Sequence, residues 1–270
     1  VLGRAYMYLG DLGNALDTYL SFIGKAEEDT LNADIWLYSE AGWTCNEFED
    51  FEQGLKYLLE AEKLGRDDEW VWARIANIYF DLERYEDALK AYNRAYELEG
   101  AYKEGKDSLY ICSIGRTLRR LGRYEEAIEK FEYALSLNDE DKDRDLAFTY
   151  GQLGCCHRNL ENYEEAIKYL MLSKEEGRND VWTNLELAMC YENLEDYEKA
   201  LEYALVAYEL DKDDIGAISE VATIYDNLEN YEEALPFLLR AEELGRNDEW
   251  INTEIALNLG RSGNVKEAIE

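Results

Sequence analysis

The sequence predicts an all-α fold of stacked two-helix hairpins, and three observations carry that prediction. The segment Tyr-Glu-x-Ala recurs at Tyr85, Tyr124, Tyr163, Tyr197 and Tyr231. With degenerate copies around Ala15, Gly54 and Ala268, the small residue that closes it stands at 15, 54, 88, 127, 166, 200, 234 and 268, spaced by 34 or 39 residues. Twelve residues before each of these anchors is Gly or Ala: Gly3, Gly42, Ala76, Gly115, Gly154, Ala188, Ala222 and Ala256. A fixed period of this length marks supersecondary units that bury their apolar faces only against their neighbours.

The two helices of each unit, A and B, follow from where the remaining apolar residues fall. Nine residues before the anchor comes a larger core residue, often Tyr (Tyr6, Tyr79, Tyr191, Tyr225), and seven after it a small one again (Ala61, Ala95, Ala134, Ala207, Ala241). Small residues matched across two helices let the backbones approach, while Tyr and Leu fill the remaining space. In chain order this register predicts A helices over residues 34–47, 69–82, 108–121, 147–160, 181–194, 215–228 and 249–262. A B helix is expected to start at each Tyr-Glu-x-Ala segment. Three B helices should stop at Gly, in Gly65-Arg66-Asp67-Asp68, Gly177-Arg178-Asn179-Asp180 and Gly245-Arg246-Asn247-Asp248. There Gly supplies a left-handed C-terminal cap, and the Asp that follows accepts the free amides of the next helix A. The only proline, Pro236, falls inside a B helix close to its start. The three longer intervals carry their extra residues in polar stretches around 27–34, 100–107 and 138–146, where they are expected to lengthen helix B or the B-to-A loop.

These offsets resemble the tetratricopeptide repeat family, whose 34-residue pattern of Gly/Ala, Tyr, Ala and Ala runs over nearly the whole chain. The family's usual Pro after helix B is missing, and the Gly caps take its place. The resemblance implies a right-handed superhelical solenoid whose A helices line a concave groove. Counting the anchor as position 20, positions 2, 5, 6, 9 and 12 would point into that groove. The anchors give a single domain over residues 1–270, with six complete repeats and a partial one at each end. Val1 falls at the sixth position of its repeat, Glu270 stops just inside the last helix B, and there is no initiator Met. The chain is therefore expected to be a piece of a longer protein, and its two cut ends, each leaving an apolar helix face open, are expected to associate end to end.

Composition narrows the function class. There are 28 basic and 61 acidic residues, a net charge of −33. Acidic residues in the Tyr-Glu-x-Ala segments and turns favour helix starts and solvate outer faces; the alternative reading is attraction to a basic partner. Such a charge disfavours nucleic acid, whose phosphates need a basic footprint. No apolar run is long enough to span a membrane and the first residues carry no basic-then-apolar signal, so a cytoplasmic location is the expectation. The compositional bias toward Asn, Lys, Glu, Ile and Tyr with one Pro suggests a low-GC bacterial source. Five cysteines (Cys45, Cys112, Cys155, Cys156, Cys190) lie within A helices without metal-ligand spacing, which reads as reduced core thiols.

The search for chemistry finds none. His157, the only histidine, takes the place that Tyr holds in other repeats and reads as a core residue. No phosphate-binding loop, nucleophile elbow or metal-ligand histidine pair is present, and the Asp-rich run 139–145 lacks the Gly and the closing Glu of a calcium loop. No cofactor, metal or catalytic residue is expected. The groove is left to carry the function. Position 2 is aromatic in five repeats, at Trp36, Trp70, Phe148, Trp182 and Trp250. These rings either pack against the preceding helix B or stand exposed as interface anchors. The middle of the groove carries Arg74 and Asn77, then Arg116 and Arg119, then Gln152 and Arg158, whereas position 6 turns acidic toward the ends at Glu40, Glu186, Glu220 and Glu254. The candidate peptide-binding residues are therefore Arg74, Asn77, Arg116, Arg119, Gln152, Arg158, Trp70 and Trp182. The arginines have a competing role as braces, paired with Asp81, Glu83, Glu161 or Glu192.

Some peptide-binding members of the family hold a terminal carboxylate with Lys, Asn and Arg at positions 5 and 9. Asn77 and Arg116 match that chemistry, but Ala73, Cys112, Gly151 and Cys155 do not, so a chaperone-type clamp is not expected, while a less specific site for an acidic segment stays open. The leading expectation is a non-enzymatic scaffold that binds a protein or peptide partner, as an extended segment or a helix, in the groove. The alternatives are a regulatory or sensor region of a larger enzyme whose catalytic domain lies elsewhere, and a spacer whose groove binds nothing.

Overall fold

The computed structural model describes residues 2–28, 35–100, 108–137, 145–246 and 248–261. They contain fifteen helices and no strand, divided between two compact units, Val1–Arg144 and Asp145–Glu270. The first unit holds α1 (Leu2–Tyr8), α2 (Leu12–Glu28), α3 (Ile35–Glu47), α4 (Phe51–Lys63), α5 (Glu69–Asp81), α6 (Tyr85–Gly100), α7 (Ser108–Arg120) and α8 (Tyr124–Ser136). The second holds α9 (Leu146–Asn159), α10 (Tyr163–Glu175), α11 (Val181–Asn193), α12 (Tyr197–Leu210), α13 (Ile215–Asn227), α14 (Tyr231–Glu243) and α15 (Glu249–Arg261). Odd-numbered helices are the A helices and even-numbered ones the B helices; α3, α5, α7, α9, α11, α13 and α15 lie within one residue of the spans the register predicts, and the B helices from α6 to α14 start at their Tyr-Glu-x-Ala segments. The last B helix, around Ala268, lies outside the described residues.

The pairing seam is the one the small residues define. Ala15, Ala88, Ala127, Ala166, Ala200 and Ala234 are all fully buried. A side chain on Gly154 would place its Cβ 2.6 Å from Leu170 Cγ and 3.1 Å from the Ala166 carbonyl, so α9 and α10 meet backbone against side chain there. Around the seams sit small cores, such as Ala188, Ala200, Ala204, Val221 and Ile224 with Tyr191 and Tyr203 against them. His157 belongs to one of these pairs: it is half-buried and stacks on Tyr169 with centroids 5.3 Å apart and planes at 11°.

Two kinds of turn join the helices, and a left-handed residue occurs in both, though not in the Asp211–Asp214 turn before α13. Between B and A it is Gly65, Gly177 or Gly245, with φ of 108°, 100° and 98°, as expected for a glycine cap. Between A and B it is Gly10 or Gly122 in two repeats but Glu in five, Glu49, Glu83, Glu161, Glu195 and Glu229, with φ from 57° to 61°. A side chain in that region costs free energy that the closed hairpin must supply. The longer intervals extend their B helices in two cases: α2 has 17 residues and α6 has 16, against 13 in α4, α8, α10 and α14. Residues 29–34, 101–107 and 138–144 of those stretches lie outside the described residues, and Asp145 caps α9 by accepting the Phe148 N–H.

Candidate functional site

The B-to-A turns build the walls of the site. Asp68 Oδ1 accepts the Val71 N–H at 3.0 Å and caps α5, while its Oδ2 accepts from Arg66 Nε at 2.9 Å. Asp180 does the same for Thr183 and Arg178, both at 2.8 Å, and Asp248 for Ile251 and Arg246, at 2.9 and 3.2 Å. Burial works against the charge on Asp180, but the hydrogen bonds from Thr183 and Arg178 hold its carboxyl below the usual range. One carboxylate thus caps a helix and aims a guanidinium at the start of the A helices. Arg66 is buried, donates to Ser39 Oγ, and lies 3.8 Å from the Trp36 centroid and 4.8 Å from that of Trp70. In the second unit Arg178 lies 4.7 Å from Trp182 and 5.8 Å from Phe148. Trp36 and Trp70, and Phe148 and Trp182, are therefore shelves for Arg66 and Arg178 of the Gly-Arg-x-Asp turns.

In the first unit these shelves open onto a cleft of about 750 Å³ between α1, α3 and the start of α5. Its apolar wall is Trp36, Trp43 and Trp70 with Met7 and Tyr8. Trp43 and Trp70 meet edge to face at 6.2 Å, and Trp36 is 53% exposed. Its polar wall contains two ion pairs, Arg4 to Glu40 at 2.5 Å and Arg66 to Asp68, together with Glu47 and Glu69. The Trp43 indole N–H donates to Glu47 Oε1 at 2.9 Å.

Of the residues singled out from the sequence, Trp70 lines this cleft. Arg74 lies beside it, 5.5 Å from the Trp43 centroid and 5.2 Å from Trp70. Asn77, three residues on along α5, accepts from the Tyr92 hydroxyl at 2.5 Å through Oδ1. On α7 the Arg116 guanidinium lies 4.0 Å over the Phe80 ring, with its Nε buried and without a hydrogen-bond partner. Neither Arg74 nor Arg116 forms an ion pair among the described residues. Arg119 is half-buried on the same helix. The other three belong to the second unit. Gln152 is buried, and Trp182 packs on Arg178 and against Gly151. Arg158 is ion-paired with Glu186 through Nε at 2.5 Å and Nη2 at 3.4 Å.

The acidic positions of the second unit follow a register: position 12 of one A helix meets position 6 of the next. Arg158 on α9 meets Glu186 on α11 in this way. Glu192 on α11 meets Glu220 on α13, but both are carboxyls, and Asn227 donates to Glu192 at 2.8 Å. Burial first and the Glu192 charge second push Glu220 up to about 7, and burial raises Glu192 as well. Two carboxyls thus face each other between two repeats, and the Glu220 Oε1 is buried without a hydrogen-bond partner. Among the described residues no His, Cys, Asp and Glu group is arranged to hold a metal ion, and all five cysteines are free thiols. Burial pushes Cys45 up to about 11 and Cys190 up to about 12, which leaves both unreactive.

Comparison with known families decides the identity of this repeat. A tetratricopeptide repeat model matches residues 67–137 and 107–175, and a second model of the same description matches 183–214 and 217–248. The chain belongs to the tetratricopeptide repeat (TPR) family. No curated protein is significantly similar to it in sequence. Among solved structures, a TPR protein from Parabacteroides merdae is similar over 95% of this chain and 96% of its own, with a TM-score of 0.70 at 16% identity. Pseudomonas aeruginosa PilF gives 0.65 at 17% identity over 84% and 96%, and YrrB, a TPR protein with an unusual peptide-binding site, gives 0.51 at 24% over 72% and 94%. At these identities the likeness shows the TPR fold.

The cleft contains residues that the sequence reading did not select. Trp43 sits at position 9, one of the groove positions, and an aromatic residue there beside the position-2 Trp36 and Trp70 was the available signal. Glu47 and Glu69 lie outside the groove positions and reach the cleft only because three A helices converge around it.

Proposed function

We propose that this TPR chain is a protein-interaction module that binds an extended peptide along the A helices of its first unit, with the Trp36–Trp43–Trp70 cleft as its anchor pocket. The general role, a scaffold for protein partners, is that of the TPR fold. The cleft supports the specific reading. Its volume of about 750 Å³ falls in the range that accommodates a side chain with its neighbours, and tryptophans are the residues that most often dominate binding energy. An extended peptide also brings backbone carbonyls that need donors. Arg74 and Asn77 supply them along α5, since Arg74 forms no ion pair among the described residues and the Asn77 amide N–H₂ is left over by its bond to Tyr92, while Arg116 on α7 already faces Tyr92 and Asp81. YrrB, with its peptide site, is a precedent on the same fold. Gln152, Arg158 and Trp182 are occupied in packing and pairing and take no part in this reading.

The test is selection of a random-peptide library on the wild-type chain, on Trp43→Ala and on Trp182→Ala. Peptides retained by the wild type and by Trp182→Ala, and lost by Trp43→Ala, support the reading. Peptides retained equally by Trp43→Ala refute it.

A further inference from the structure

The charges on the walls of the cleft bear on what enters it. Its two lining arginines are already neutralised, Arg4 by Glu40 and Arg66 by Asp68. That leaves Glu47 and Glu69 with no cationic partner among the described residues, beside three indole rings. Glu47 is held in place by the Trp43 N–H through Oε1, which leaves Oε2 for a further donor. The rings accept cations: Arg66 and Arg74 of the chain itself already lie over Trp36, Trp43 and Trp70 at 3.8 to 5.5 Å. The net charge of −33 draws basic partners to the whole surface and repels acidic ones.

We infer that the anchor pocket receives a basic side chain, arginine or lysine, of the bound peptide, with its aliphatic stem against the indoles and its charged head on Glu47 and Glu69. This rests on the peptide-binding reading and adds the chemistry of the ligand. Arg4 and Arg66 do not oppose it, because their charges are spent on Glu40 and Asp68. Arg74 does not line the cleft.

The test uses a positional-scanning hexapeptide library, acetylated and amidated so that termini carry no charge. Each pool is fixed at one position as Arg, Lys, Leu, Trp or Glu and mixed elsewhere, and affinity is read by fluorescence polarisation. At one position the Arg and Lys pools should bind about tenfold tighter than the Glu pool. The double variant Glu47→Gln/Glu69→Gln, whose changes are at solvent-facing carboxylates, should shrink that preference to about threefold or less while the Leu and Trp pools bind as before. Raised salt should weaken only the basic pools. If the Glu pool binds best, or if basic and neutral pools bind alike while Trp43→Ala still abolishes all binding, the basic-ligand inference falls and the peptide reading stands. If no pool binds, or Trp43→Ala leaves binding intact, the peptide reading itself falls and this inference with it.

Discussion

The guanidinium of Arg66 lies 3.8 Å from the centroid of the Trp36 ring, in contact with a residue that opens the preceding A helix. Because Asp68 also holds this arginine while capping α5, one turn fixes the spacing of α3 and α5 and sets the cleft wall. A planar guanidinium can lie on an indole and keep its in-plane hydrogen bonds at once, and an ammonium cannot. Arg66→Lys should therefore destabilise the first unit by about 2 kcal/mol. Arg94→Lys, at a surface pair with Asp67, should leave the melting temperature unchanged. Thermal unfolding of the two variants checks this.

The A-to-B turns give a second expectation. Glu83 sits at φ 57°, where Gly10 and Gly122 stand in other repeats. Glu83→Gly should raise stability by about 0.5–1 kcal/mol, and Glu83→Val should lower it, because a β-branched side chain is the least tolerant of that backbone. Denaturant titration would show the opposite shifts in midpoint.

A third concerns pH. The Glu220 carboxyl, raised to about 7, is protonated in the folded chain over a range where it is ionised in the unfolded one. The folded state then binds more protons, so this contribution is complete below the ordinary Glu range and is lost as pH rises through about 7. The groups facing it are Glu192 and Glu186 on α11 and Arg158 on α9, of which only Arg158 opposes the shift. Glu220→Gln should remove this part of the pH dependence, so that the variant gains stability relative to wild type between about pH 5 and pH 8. A melting-temperature difference that does not change over that window would contradict the raised Glu220 carboxyl.

The helices were legible because their determinants are local and repeated. Gly154 and Ala166 lie twelve residues apart and mark where α9 and α10 touch, and Asp68 and Asp180 are caps recognisable from the Gly before them. The Glu residues at positive φ were not legible, since Glu is an ordinary residue and only the closed hairpin forces Glu83 into that conformation. The candidate site was read in part. Position 2 was recognised as aromatic, but Trp36 and Trp70 owe their orientation to Arg66, a turn residue outside the groove positions. Arg158 looked like its counterpart Arg119 by register, yet its partner Glu186 comes from the next repeat, and a one-repeat pattern does not reveal which of two neighbours pairs. The two-carboxyl contact of Glu192 and Glu220 was hidden for the same reason.

The most direct test of the peptide cleft is ¹⁹F NMR of the fluorotryptophan-labelled chain titrated with a peptide recovered from the library, with resonances assigned by single Trp→Phe variants. Shifts at Trp36, Trp43 and Trp70 that saturate together, with Trp72 and Trp182 in place, are the expected result. Saturable shifts at Trp182 with the three cleft resonances unmoved would contradict it.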